Sequence, residues 1–251
     1  MALVLTRPRQ EGERWAERLR ARGHASLLLP LIEIGPPKDL APLRAAAADL
    51  GRYAAAMFVS PNAVQGLFAL APRFEGPRAW APGLGTRDAL RAAGVPPGRI
   101  DTPAEDAGQF DSESLWQQVG GQLHAGDRLL LVRGGDSEGR SQGRDWLAQQ
   151  LAARGVAVDT VVAYVRQLPA WGEAERDSAR RAAEDGSLWL FSSSEAAGNL
   201  RALLPGQSWT GVRALATHPR IAQAVRALGF GAVHESRPAY DDVLASIESL
   251  G

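Results

Sequence analysis

The sequence lacks cysteine, and it lacks an excess of charge of either sign. Its 251 residues include no cysteine, and 28 basic side chains balance 28 acidic ones. The missing cysteine excludes disulfides, thiolate nucleophiles and sulfur-ligated metals, and it is compatible with a reducing cytosol. Balanced charge gives no overall attraction to nucleic acid or to an anionic membrane, so we expect neither as a partner and expect any anionic ligand to be bound locally.

Long apolar runs are also missing. No stretch of about 18 apolar residues occurs, and residues 1–8 do not combine a charged segment with an apolar signal core. Export and membrane spanning are therefore disfavoured, and the sequence predicts a cytoplasmic protein.

Motifs for nucleotide, metal and nucleophilic chemistry are absent as well. The sequence has no phosphate loop, no His-Glu-x-x-His and no Gly-x-Ser-x-Gly. The turn that begins at Gly83 starts like a dinucleotide fingerprint, but Asp88 occupies the place of its third glycine. None of the histidines is paired at metal-ligand spacing: His24, His124, His218 and His234. We therefore expect neither a nucleotide cofactor nor a metal.

What the sequence does contain is a regular alternation of short apolar strands and amphipathic helices. Residues 3–6 (LVLT) predict a strand followed by a helix over 13–22, and residues 54–60 predict a strand followed by a helix that Pro61 begins. The alternation continues to the C-terminus. Such a pattern is typical of α/β proteins, in which helices cover both faces of mostly parallel sheets.

Two long β-rich segments, 22–34 and 154–169, divide this pattern, and the two halves of the chain are similar. Matching glycines and phenylalanines recur about 133 residues apart: Gly23 with Gly155, Phe58 with Phe191, and Gly94 with Gly229. We predict one discontinuous domain of residues 1–24 and 169–251, a second domain of residues 38–155, and connecting strands at 25–37 and 156–168. Facing sheets would then form an interdomain cleft.

Polar residues recur at the predicted strand-to-helix turns. They are Thr6, Arg7, Ser60, Thr86, Ser193, Thr217 and His218, and Gly83 begins one of these turns. Free amides at helix N-termini suit carboxylates, so these turns are candidate binding positions. Serine and threonine at such turns are equally ordinary N-caps.

Arg7 and Arg133 follow matching strands, where each could bind an acidic ligand or pair with a carboxylate of the protein. Arg140 and Arg144, in and after the glycine-rich loop 134–143, are expected to be solvated. Tyr164 lies in a strand alternation and is either a packed aromatic or a phenol that donates a proton, because its hydroxyl is protonated at neutral pH.

The sequence resembles the uroporphyrinogen-III synthase family from end to end. The resemblance rests on the order and spacing of several segments: LVLTRP at 3–8, LPLIE at 29–33, FVSPNAV at 58–64, GLGT at 83–86, RG at 133–134 and VAYVR at 162–166. It implies two flavodoxin-like domains joined by a two-stranded connector, with the substrate in the cleft and no cofactor.

The resemblance also implies a reaction. The family closes the linear tetrapyrrole hydroxymethylbilane, with loss of water and inversion of the last pyrrole ring through a spirocyclic intermediate, as a lyase of heme biosynthesis. With this function we expect a monomer that binds a polycarboxylate tetrapyrrole and makes transient contact with the preceding enzyme of the pathway.

By the same resemblance, Tyr164 matches the tyrosine that assists departure of the hydroxyl. Ser60, Thr86 and Ser193 match polar positions of the cleft. Ile221 stands where the family often has a second threonine, so either Thr217 or His218 substitutes for it, or the contact is missing.

Two other classes of function remain open. A non-catalytic two-domain protein that binds a ligand in its cleft would share the two connecting strands between the domains, although most such proteins are exported. A regulatory pseudo-enzyme would keep the fold and lose turnover.

Overall fold

The computed structural model describes residues 2–71, 73–104, 111–141 and 146–250. Strands and helices are numbered in chain order. The strands are β1 Leu3–Leu5, β2 Ser26–Leu28, β3 Glu33–Gly35, β4 Ala55–Phe58, β5 Arg78–Trp80, β6 Ile100–Asp101, β7 Arg128–Gly135, β8 Ala157–Gln167, β9 Leu188–Phe191, β10 Arg213–Ala216 and β11 Ala232–Glu235. The predicted alternation is confirmed, because helices separate most consecutive strands.

Several of the helices begin at or next to the predicted turn residues. They are α1 Arg9–Ala21, α2 Ala41–Ala48, α3 Pro61–Phe68, α4 Leu84–Ala92, α5 Ser112–Val119, α6 Trp146–Ala152, α7 Glu173–Glu184, α8 Ser194–Leu203, α9 Pro219–Ala227 and α10 Tyr240–Leu250. Within the described ranges, no helix is both long enough and apolar enough to cross a bilayer.

The chain divides into two compact units, Met1–Glu33 with Gln167–Gly251 and Ile34–Arg166. The first unit contains a sheet in the order β11-β10-β9-β1-β2, and the second sheet has the order β3-β8-β7-β4-β5-β6. The pairings of β1 with β2 and β9, and of β4 with β5 and β7, are parallel. The α/β class with parallel sheets is therefore confirmed.

The central strands of both sheets are buried on both faces, as parallel strands covered by helices must be. In β9, Leu188 and Leu190 pack into the cluster formed with α1 and α10. The alternate residue Trp189 points to the other face, where its ring centroid lies 5.2 Å from Trp209 in an edge-on contact. Aromatic pairs of this kind contribute about 0.5–1.5 kcal/mol beyond the burial of their area.

The first predicted connecting strand is wrong as one continuous strand. The segment forms β2, which pairs with β1, and then β3, which belongs to the other sheet. Pro30 lies between them and has no N–H to continue the ladder. Its carbonyl oxygen accepts a hydrogen bond from Trp171 Nε1 at 3.0 Å, and the carbonyl of Leu31 accepts one from Asn199 Nδ2 at 2.7 Å. These contacts keep residues 29–32 in the first unit.

The second predicted connecting strand is the long strand β8, which pairs in parallel with β7 inside the second sheet. The chain returns to the first unit at the end of this strand, between Arg166 and Gln167. Both β3 and β8 are thus strands of the second sheet as well as the places where the chain changes unit.

A polar network joins β8 to the start of β4 and β7. The Asp159 carboxylate accepts hydrogen bonds from Arg128 at 2.5 Å, Tyr53 at 3.0 Å and Arg52 at 3.3 Å. Burial raises the pKa of Asp159, but these three partners together outweigh burial and lower the pKa below its ordinary value of 3.8.

This shift predicts a pH dependence of stability. A carboxylate with a lowered pKa stabilises the fold above its ordinary pKa and loses that contribution as pH falls through the lowered pKa. We expect Asp159→Asn to reduce the free energy of unfolding at pH 7 and to flatten its decline below about pH 4. Urea unfolding of both proteins at pH 7 and pH 3 measures this, and an equal decline in both proteins would contradict it.

Candidate active site

In the second unit, Ser60 and Thr86 follow the carboxyl ends of β4 and β5, and Arg133 lies near the carboxyl end of β7. Phe58 at the end of β4 pairs with Val132 of β7, so Ser60 and Gly134 lie two residues further along neighbouring strands. In parallel sheets such residues share one edge, which is where α/β proteins bind ligands.

Ser60 is the N-cap of α3. Its backbone is extended, and Pro61 occupies the first helical position, where the missing N–H costs nothing. The Ser60 Oγ accepts a hydrogen bond from the backbone N–H of Ala63 at 3.3 Å and donates one to the Tyr164 Oη at 3.1 Å. Ser60 is therefore both a cap and a direct partner of the predicted proton donor.

Tyr164 reaches Ser60 because strand β8 contains a bulge. Arg133 pairs with Val162 but the next residue, Gly134, pairs with Tyr164, so Ala163 is an extra residue in β8. Val161 and Ala163 face the helix α3 side of the sheet, and strict alternation would turn Tyr164 to the other side. The bulge reverses the alternation and places Tyr164 on the same side. The residue is 9% exposed.

Gly134 provides the space for the Tyr164 ring. A Cβ atom on Gly134 would lie 2.5 Å from the Tyr164 Cζ and 2.8 Å from its Oη, both far inside van der Waals contact. Only glycine lets the ring lie directly over the β7 backbone. Gly134 was predicted to begin the glycine-rich loop and not to be a site residue, whereas it lies inside β7. A glycine inside a strand is a signal for close approach of another group.

Gly83 and Thr86 lie at the start of α4, after β5. Gly83 is the N-cap and offers no side chain to the first turn of this helix, and the Thr86 N–H donates to the Gly83 carbonyl at 3.1 Å. Thr86 is 4% exposed. A Cβ on Gly85 would lie 3.7 Å from Pro61, so α3 and α4 begin side by side.

The arginines of this unit differ in environment. Arg133 is buried near the end of β7. Arg140 is exposed and forms ion pairs with Asp136 and Glu138, at 2.9 and 2.8 Å, as expected for a solvated loop arginine. Arg144 and the end of the glycine-rich loop lie outside the described residues.

In the first unit, Arg7 follows β1 and pairs with a carboxylate of the protein. Its guanidinium donates a hydrogen bond to Glu11, one helical turn away, and lies 4.1 Å from the ring centroid of Trp15. Burial lowers the pKa of Arg7, and the charge and hydrogen bond of Glu11 oppose that shift. Of the two roles predicted for Arg7, the structure shows the internal ion pair.

The other predicted residues of this unit follow β9 and β10. Ser193 caps α8 and accepts a hydrogen bond from the Glu195 N–H at 3.2 Å, which makes it the counterpart of Ser60. His218 is exposed and caps α9, with its Nδ1 accepting a hydrogen bond from the Arg220 N–H at 3.1 Å. Thr217 is buried beside it.

Ile221 occupies the third residue of α9, as Thr86 does in α4. Its side chain is 8% exposed, so the hydroxyl of a threonine is replaced here by apolar packing. Among the candidate residues of the second unit, the structure thus joins Ser60 with Tyr164. In the first unit, Arg7, Ser193 and His218 each form a hydrogen bond with the first turn of the helix that follows.

Comparisons with known proteins identify the family of the chain. The family model described as uroporphyrinogen-III synthase HemD matches residues 13–245. The chain belongs to the uroporphyrinogen-III synthase family. It is 29% identical to the uroporphyrinogen-III synthase of Escherichia coli over 97% of this chain and 98% of that protein, and 30% identical to that of Salmonella typhimurium over the same shares.

Solved structures agree on the fold. The crystal structure of uroporphyrinogen-III synthetase from Helicobacter pylori matches with a TM-score of 0.60 and 14% identity, covering 100% of this chain and 99% of that one. Nothing in these comparisons supports the non-catalytic alternatives.

Proposed function

We propose that this member of the uroporphyrinogen-III synthase family is a lyase that converts hydroxymethylbilane to uroporphyrinogen III, with loss of water and inversion of the last pyrrole ring. The observation that carries the proposal is the Tyr164 hydroxyl, held by Ser60 at the carboxyl edge of the second sheet in a member of this family. No cofactor is part of the proposal.

Tyr164 is the proposed proton donor in the first step. Its O–H proton passes to the hydroxyl of the substrate as the carbon–oxygen bond breaks, and water leaves. Loss of the hydroxyl leaves a positive charge on the carbon that carried it, and the lone pair of the pyrrole nitrogen stabilises this cation.

The substituted ring carbon of the last pyrrole attacks this cation and forms the spirocyclic intermediate. The bond from that ring carbon to its original bridge carbon then breaks, which leaves a cation on the bridge carbon, and the free ring carbon on the other side of the last pyrrole attacks it. This ring carbon loses its proton as the pyrrole regains aromaticity, and the proton returns the phenolate to its starting state.

Binding of the substrate carboxylates is assigned to the starts of the helices. The N-termini of α3, α4, α8 and α9 follow strand ends that carry Ser60, Gly83, Ser193 and His218, and Thr86 and Thr217 lie beside them. Amide groups and the helix dipole favour anions there. We assign Arg133 to the same task, and Arg7 as well if a substrate carboxylate displaces Glu11.

Positioning is the larger part of the proposed catalysis. The substrate closes without an enzyme to the wrong isomer, so the protein must hold the chain in the one conformation that inverts the last ring. Correct placement of reacting groups is worth up to about 7–11 kcal/mol of the barrier. We propose that the protein acts in the cytoplasm as a monomer, in transient contact with the preceding enzyme.

The test is the isomer of the product. Freshly prepared hydroxymethylbilane is incubated with dialysed, chelator-treated protein, and the oxidised porphyrin products are separated by chromatography. We expect the III isomer. Formation of the I isomer alone, at the rate of the buffer control, would refute the proposed function.

A further inference from the structure

Ser60, Tyr164 and Ala63 form a short hydrogen-bonded chain that starts at the N-terminus of α3. The Ala63 N–H donates to the Ser60 Oγ, and the Ser60 hydroxyl donates to the Tyr164 Oη. The Ser60 oxygen accepts the Ala63 N–H through a lone pair, and its single hydrogen is the donor in the bond to the phenol. The Tyr164 oxygen is therefore an acceptor in this bond, and its own hydrogen is left to donate elsewhere.

We infer that the Ser60 hydroxyl positions Tyr164, whereas the backbone amides at the start of α3 bind the substrate carboxylate, and that Ser60 stabilises the phenolate formed when Tyr164 gives up its proton. This inference rests on the proposed function and gives a different task to a residue that the family resemblance places among substrate contacts. The helix N-terminus contributes through Ser60, because the dipole of α3 favours negative charge at this end.

The surroundings of Tyr164 restrict its ring, so the hydrogen bond from Ser60 determines the direction of its O–H. The ring lies over the Gly134 backbone, and the bulge at Ala163 sets the side of the sheet on which it lies. With the ring so confined, the hydrogen bond from Ser60 fixes the remaining freedom, which is the direction of the O–H. A hydrogen bond to a charged group is also stronger than one to a neutral group, so the bond gains strength as the phenolate forms.

A double-mutant cycle tests the inference. We expect Ser60→Ala to lower kcat by about tenfold or more with KM within about twofold of the parent, since one hydrogen bond to a developing charge is lost. In the Tyr164→Phe background, Ser60→Ala should have no further effect on kcat. Ser60→Thr keeps the oxygen and should restore most of the rate.

A matched control separates this effect from the loss of a helix cap. Asp111 caps α5 in the same unit, its carboxylate accepting a hydrogen bond from the Ser114 N–H at 2.8 Å. Asp111→Ala should lower the Tm about as much as Ser60→Ala does but leave kcat unchanged. Equal falls in kcat for the two variants, or a raised KM for Ser60→Ala in both backgrounds, would overturn the inference.

A spectroscopic measurement makes the inference testable without turnover. The chain has three tyrosines, so Cζ-labelled protein gives three carbon resonances, and Tyr164→Phe assigns one of them. Ser60→Ala should shift the Tyr164 resonance and leave those of Tyr53 and Tyr240 in place. An unmoved Tyr164 resonance overturns the inference even in an active enzyme, whereas a parent protein without turnover overturns only the proposed function.

Discussion

Replacing Tyr164 by phenylalanine should lower kcat by about a hundredfold or more, because general acid catalysis by a positioned side chain is worth at least that much. The ring remains, so its place over Gly134 is preserved. Loss of one neutral hydrogen bond, to Ser60, should cost only about 0.5–1.5 kcal/mol of stability. Steady-state kinetics and urea unfolding of the same preparation measure the two effects separately.

Tyr240→Phe is the control for this substitution. Tyr240 also has a buried hydroxyl, but it lies at the start of α10, where its ring packs edge-on against Trp15. Its removal should leave kcat unchanged. If Tyr164→Phe turns over like the parent, the proton comes from another group and Tyr164 is a packing residue. Residual activity that still gives the III isomer would agree with positioning by the rest of the site.

Gly66→Ala should be strongly destabilising. A Cβ on this glycine of α3 would lie 2.2 Å from the carbonyl oxygen of Ala163, and the backbone there cannot move aside as a flexible side chain can. We expect a loss of about 2–3 kcal/mol, at the upper end of overpacking effects. Because Ala163 is the bulge residue, the displacement should also shift Tyr164 and reduce kcat.

Gly198→Ala is its counterpart in α8 of the first unit. A Cβ there would meet no atom within 4 Å, so the substitution should stabilise the helix by about 0.5–1 kcal/mol. Urea unfolding followed by circular dichroism measures both variants. A Gly66→Ala protein as stable as the parent would show that α3 and β8 are not in contact through these backbones.

The sequence was sufficient for the fold class because each strand-to-helix turn has its own local signal. Ser60-Pro61 predicts a cap followed by a first helical residue, and His218 is predicted at a strand-to-helix turn; both turns are present as helix starts. The path of residues 29–32 was not predictable in this way. It depends on hydrogen bonds from Trp171 and Asn199, more than 140 residues away in the chain, and local patterns carry no information about such partners.

The candidate site was also only partly predictable from the sequence. The sequence predicted which residue types lie at the strand ends, and the structure places Ser60 and Tyr164 in contact. The side of the sheet that Tyr164 faces was not readable, because strict alternation of β8 gives the opposite answer and the bulge is set by pairing with β7. The partner of Arg7 was equally undecided in the sequence, since Glu11 and an external anion satisfy the same guanidinium.

The discontinuous first unit has a consequence for synthesis on the ribosome. Strand β1 is an interior strand of its sheet, and its neighbour β9 is synthesised much later. The hydrogen bond from Thr6 Oγ1 to the carbonyl of Leu190 joins residues that are 184 positions apart in the chain. At about 5–20 residues per second, the first strand waits roughly 10–40 s for this partner. Ile34–Arg166 is contiguous and can fold during that time. The apolar N-terminal segment is therefore exposed for longer than Ile34–Arg166 during synthesis, and it has the greater need for chaperone protection.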